Sequence, residues 1–248
     1  MAHTLATRTL TDTATKVVVM CEGRAGDATD LAANVAFDSS ASKYALATIT
    51  LAAAPTTNFC IGEIITSDSI SMVVQDYAKA ATTVSVYRCT SGTDSTPLGW
   101  SAATVPGTSE AIVGSVSGTS STTTHGSTVV AHVGKVTDIR AIRWNISGGH
   151  SVLLYYAGSS ATQNIGYFVG GGTWGKGHGE FVAVTQGSAA GDTGSVLGNV
   201  LATSYGSAAH DTETLQIEVG KITGWNTPNY EGNGQLGYST QKIQHGNY

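Results

Sequence analysis

The residues with the clearest claim to chemistry lie in the run Gly170-Gly-Gly-Thr-Trp-Gly175-Lys176. It satisfies G-x-x-x-x-G-K, and Gly170, Gly172 and Gly175 also satisfy G-x-G-x-x-G. Both patterns hold phosphate by presenting backbone N–H groups and the start of a helix. Here Gly177 stands where the first pattern needs Ser or Thr, and Gly177-His-Gly179 is a poor opening for a helix. A glycine-rich hairpin or a loop between subunits is the expected structure. Nucleophilic hydrolysis asks for a nucleophile, a base and an orienting acid. His210 and Asp211 are neighbours, which in a strand point to opposite faces, so they suit a turn better than a dyad. His150, just ahead of Ser151 at a turn-to-strand boundary, reads as a local accident, and no G-x-S-x-G elbow is present. The histidines show no H-x-x-x-H or H-E-x-x-H spacing, and the acids form no D-x-D-x-D loop. Asp27 and Asp30 read as turn caps rather than calcium ligands. No pair of carboxylates stands out for glycan hydrolysis. The expected inventory is no catalytic residue, no cofactor and no metal.

The cysteines and aromatic residues carry the remaining candidates. Cys21, Cys60 and Cys89 are widely spaced and sit in or beside apolar runs, so each is expected as a small buried hydrophobe. Trp144 alternates with Ile142 and is expected in the core. Trp100, Trp174 and Trp225 lie in loop-like surroundings, where exposed aromatics make contact surfaces. Tyr230, Tyr238 and Tyr248 punctuate the C-terminal tail. Trp174, Trp225, Tyr230, Tyr238 and Tyr248 are therefore the candidate interaction residues, with protein anchoring favoured over sugar stacking.

The elements that must position these groups are strands. Helical periodicity is nearly absent, whereas short β-branched runs recur, among them 16–22, 44–51, 60–66, 70–75, 83–89, 111–116 and 128–133. Further runs cover 138–145, 151–157, 164–169, 180–185, 195–203 and 214–223. Leu215-Gln-Ile217-Glu-Val219 shows the period of two expected of an antiparallel strand with one wet face. Ser147-Gly148-Gly149 and Ala190-Gly191-Asp192 are turn signals. The pattern predicts an all-β fold, an antiparallel, jelly-roll-like β-sandwich with extended N- and C-terminal arms. The expected boundaries are an arm over 1–15, a sandwich over 16–223 with a Ser/Thr/Gly-rich loop at 102–128, and an extension over 224–248.

Composition narrows the partners. Of 248 residues 12% are charged, about half the usual share, and 31 are Gly. The net charge of −5, with scattered arginines, offers no basic stripe for nucleic acid. Apolar runs span a handful of residues against the roughly 20 needed to cross a bilayer, and the first residues lack a secretory leader. The reading is a protein made in the cytoplasm, with no membrane and no nucleic-acid partner.

Several stretches carry a resemblance. Leu10-Thr11-Asp12 stands before Lys16-Val-Val-Val19, and Ile139-Arg-Ala-Ile142-Arg-Trp144-Asn-Ile146 before Gly148-Gly149-His-Ser-Val152-Leu-Leu-Tyr155. Gly191-Asp-Thr-Gly194 and Ala208-Ala-His-Asp211-Thr-Glu-Thr-Leu215-Gln-Ile217-Glu-Val219 follow, with Lys221 after them. Together they are similar to small all-β virion structural proteins of tailed bacteriophages of the marine and cyanobacterial type. The resemblance covers about the first 40 residues and 136–222. It implies a non-enzymatic structural subunit of the virion, foremost a capsid decoration or cement protein. A tail or neck accessory protein or a host-binding adhesin is the alternative. The implied partners are copies of itself and other virion proteins, such as a major capsid protein or tail and neck subunits, in a homo-oligomer.

Overall fold

The computed structural model describes residues 2–55, 57–100, 111–124, 136–157, 162–175, 184–185, 198–223 and 225. All regular structure among them is β-strand, as the alternation predicts. The chain divides into two compact units where a single sandwich is expected, and the expected extension over 224–248 lies, Trp225 apart, outside the described residues. One takes Met1–Ser39 and Gly134–Thr223, the other Ser40–Val133 and Gly224–Tyr248.

The first unit contains β1 (Thr4–Asp12), β2 (Lys16–Arg24) and β3 (Asn34–Phe37), and resumes with β11 (Val136–Ile146) and β12 (Ser151–Ala157). It ends with β13 (Thr162–Phe168), β14 (Gly171–Gly175), β15 (Val184–Thr185), β16 (Val200–Tyr205) and β17 (Thr212–Thr223). One antiparallel sheet runs β1-β2-β17-β11-β14, with β15 also paired to β11; a second runs β13-β12-β16-β3. Their inner faces share one core. Val17, Val19, Leu215, Ile217, Val219 and Ile142 come from the first sheet, and Val152, Leu154, Tyr156, Val200, Ala202 and Phe168 from the second. This is a β-sandwich, with side chains alternating between core and surface along each strand.

The segment 1–15 is no free arm, because its alternating threonines build β1, an edge strand paired with β2 from Thr4↔Arg24 to Asp12↔Val17. Gly171–Gly175, the tempting phosphate loop, is the edge strand β14 on β11. Gly172 is needed there because a Cβ would run into the Trp144 ring. Trp144 meets Phe168 edge-on at 4.9 Å and donates from its indole N–H to Val169 O at 3.0 Å.

The second unit holds β4 (Leu46–Thr50), β5 (Ile64–Ser67), β6 (Ile70–Tyr77), β7 (Thr83–Ser91), β8 (Asp94–Pro97), β9 (Ala111–Gly114) and β10 (Gly118–Thr124). They form a sheet ordered β10-β9-β5-β6-β7-β4, with β8 on β7. Ile49, Ile65, Met72, Val74, Val84, Val86 and Ile112 line one face, and Phe59, Trp100 and Trp225 pack against them. Part of the stretch expected as a loop, 102–128, is the β9–β10 hairpin. Thr is a good strand former, and an edge position needs only one ladder of hydrogen bonds.

Candidate functional site

Strand β17 places two ionisable side chains on its core-facing side, at either end of Leu215, Ile217 and Val219. Glu213 and Lys221 share their parity and are buried with them. Glu213 accepts hydrogen bonds from His3 Nε2 at 2.6 Å and from His150 Nε2 at 3.2 Å. Its carboxylate reaches His3 across β2 because the residue opposite it there is Gly23, where a Cβ would fall on that carboxylate. His150 Nδ1 lies 3.4 Å from Asp211 Oδ2 without a hydrogen bond. Gly148, at φ +79°, gives Asp211 its room. Ser204 Oγ lies 3.3 Å from His3 Nδ1 and 2.9 Å from Ser207 Oγ, and accepts the Leu31 N–H at 2.6 Å. At the other end of β17, Lys221 Nζ donates to Asp12 Oδ1 at 2.6 Å and to Thr13 O at 2.7 Å.

Ser204, His3 and Glu213 repeat the order of a nucleophile, a base and an acid. Ser204 is fully buried, however, and its hydroxyl is engaged by three neighbours. The cluster ties β17 to the start of β1 and to the turn ahead of β12. With the Lys221 pair it fastens both ends of β1, whose own side chains are mostly exposed. Asp30 joins the same end by accepting the Ser207 N–H at 2.8 Å, and that bond holds its carboxyl below the usual range. His150, expected as a local accident, is thus a buried member of this network with 1% of its surface exposed.

The opposite sheet presents a different surface. None of its four strands carries a charged residue or a histidine. Val152, Leu154 and Tyr156 point inward, so Leu153 and Tyr155 point out, together with Tyr167, Leu201, Thr203 and Tyr205 from the flanking strands. Tyr167 and Tyr205 are 61% and 46% exposed, and their rings stand 6.2 Å apart at 39°. They reach toward each other from β13 and β16 across β12, which accounts for an outward-facing Leu153 that is only 7% exposed. Tyr155 Oη lies 3.4 Å from Thr203 Oγ1. Val35 on β3 and Val169 after β13 extend the exposed apolar surface. The first sheet turns to solvent a face carrying the Arg8–Glu22 and Lys16–Glu218 ion pairs. An antiparallel sheet that faces water usually has polar outward positions. The first sheet obeys this rule, and the second does not.

The expected interaction residues fare unevenly. Trp225 is 6% exposed and donates from its indole N–H to Ser42 Oγ at 2.7 Å, so it closes the second unit's core. Trp100 is likewise buried, donating to Ala45 O at 2.7 Å. Their loop-like sequence surroundings reflect strand ends, where an indole caps a sheet face while its N–H finds a partner. Trp174 lies half-buried in β14 against the sandwich core. Tyr230, Tyr238 and Tyr248 lie outside the described residues. Cys21 and Cys89 are buried as expected, whereas Cys60 is exposed in the turn before β5.

Tyr155, Tyr167 and Tyr205 carry no motif. The signal for them was the missing polar alternation in Ser151-Val-Leu-Leu-Tyr-Tyr-Ala157, which marks a strand covered on both faces. Compared with models of protein families, with curated proteins and with solved structures, the chain matches none.

Proposed function

We propose that this protein is a non-enzymatic structural subunit of a multi-protein particle, a capsid decoration or cement protein of the tailed-phage type its sequence resembles. The observation that carries the reading is the uncharged outer face of the β13-β12-β16-β3 sheet, with Tyr167, Tyr205, Val35 and Val169 open to solvent. An exposed patch of this kind marks a contact surface, and tyrosine serves well there because it buries a large ring while keeping a polar tip. The edge strand β1, mostly exposed and pinned at its ends by the His3–Glu213 and Lys221–Asp12 contacts, is a second surface that a neighbour could pair with. A glycan-binding adhesin is the second reading, supported by the paired Tyr167 and Tyr205 rings. The aliphatic Val35, Leu201 and Val169 around them favour protein, since sugars stack on rings and not on branched chains.

The test is incorporation. The purified chain and a Tyr167→Lys/Tyr205→Lys variant are added to particles lacking the protein, and the bound copies are counted and located by electron microscopy. Ordered addition of the wild type with loss in the variant supports the proposal. Equal incorporation of both would remove the tyrosine face from the argument. Turnover of host glycans by the isolated chain would overturn the reading altogether.

A further inference from the structure

We infer that the partner of this face is a second copy of the same chain, docked sheet to sheet about a two-fold axis. The inference rests on reading the β13-β12-β16-β3 face as a contact surface and goes on to name what covers it. Charge narrows the partner. Phosphate, an anionic lipid surface or an acidic or basic protein patch would find no counter-charge on strands that carry none. The same face on another copy is equally neutral, so a two-fold contact buries no unpaired charge. It places tyrosine and aliphatic side chains of both copies against each other at the roughly 10 Å spacing of stacked sheets.

Area sets the strength. Four strands of 7, 7, 6 and 4 residues, about 4.8 Å apart, span a face of about 400 Å². A standard stable interface takes about 800 Å² from each partner. The pair is therefore weak in dilute solution and fills at the high local concentration of a particle surface, where several such contacts add. The side chains suit this role: Tyr155 is braced by Thr203 and Tyr167 leans on Tyr205, contacts that lower the rotamer freedom to be lost on docking.

The experiment is sedimentation of the full chain from micromolar to near-millimolar concentration, with reductant present because Cys60 is exposed. The wild type is expected to pass reversibly from monomer to dimer. Tyr167→Lys/Tyr205→Lys is expected to weaken that association by at least about tenfold. Both positions are solvent-exposed, so an unchanged melting curve will show that the variant is folded. A wild type that stays monomeric throughout, or a variant that dimerises equally, overturns the inference. The particle assay separates the two levels. A monomeric wild type that still incorporates through Tyr167 and Tyr205 removes the self-contact and leaves the structural role standing. Loss of incorporation dependence as well removes both. Tyrosine-dependent binding of a neutral glycan by a monomer would transfer the face to a sugar.

Discussion

Glu213 is the side chain on which the largest single-residue effect is expected. It is fully buried, accepts from two imidazoles, and shares its end of the sandwich with Asp211. Removing it leaves two buried imidazoles without their acceptor, at a cost of about 1–3 kcal/mol for each group left unpaired. Glu213→Ala should lose that much in urea unfolding, and Glu213→Gln less, since it keeps the volume and one acceptor. A loss under about 1 kcal/mol for the Ala variant would show that the network is dispensable. The thiols give a second prediction. Burial pushes Cys21 up to about 12 and Cys89 up to about 11. At pH 8 a thiol reagent should therefore label Cys60 rapidly and the other two only on unfolding; rapid labelling of all three would contradict it. The sign of the linkage follows, because the folded state keeps protons that the unfolded chain releases above about pH 9. Stability is full below that pH and falls as the pH rises toward 12. Cys21→Ala should flatten this alkaline slope, measured as stability against pH. Some of this was legible. Glu213 and Lys221 share the parity of Leu215, Ile217 and Val219, so alternation alone puts them inside. Their partners were not legible, since His3 lies 210 residues from Glu213 and nothing local ties the two.

Strand β1 shows how an element can hold its place without a hydrophobic stripe. Apart from half-buried Leu5 and Asp12 its side chains are exposed, and its outer edge has no strand partner among the described residues. Its backbone pairs with β2, while β17, one strand further in, fixes its ends through Glu213–His3 and Lys221–Asp12. Lys221→Met keeps the length of the buried side chain and removes its charge. Hydrogen exchange is then expected to quicken about tenfold or more over Thr9–Asp12, with β2 and the middle of β17 unchanged. Equal quickening across all three strands would mean that the pin supports the whole sheet. Strands with clean alternation were readable, as in Thr83–Ser91 and Thr212–Thr223. The elements that escaped were edge strands. Glycine in β14 and serine and threonine in β10 read as loop because an edge strand can do without apolar residues. Its ladder comes from the neighbour, which no local pattern records.

At the scale of the molecule, the division into two units was not legible, because the chain leaves the first at Ser39 and re-enters it at Gly134 without a break in composition. What composition did signal was the scarcity of charge, and the fold shows where charge is withheld: the first unit's first sheet carries surface ion pairs, and its second carries none. That asymmetry predicts how self-association responds to solvent. Each copy bears a net charge of −5, so two copies repel at low ionic strength. At 0.1 M salt the screening length is about 10 Å, and the long-range part of this repulsion is gone. A contact made by ion pairs would weaken as salt rises. A contact made by Tyr167, Tyr205 and their aliphatic neighbours should instead hold or tighten slightly, changing by less than about threefold between 50 and 500 mM sodium chloride. Sulfate should strengthen it and cooling should weaken it, as apolar burial requires. Sedimentation across these conditions is the measurement. A tenfold loss of association with added salt would mean that charged groups, and not the tyrosine face, bring the copies together.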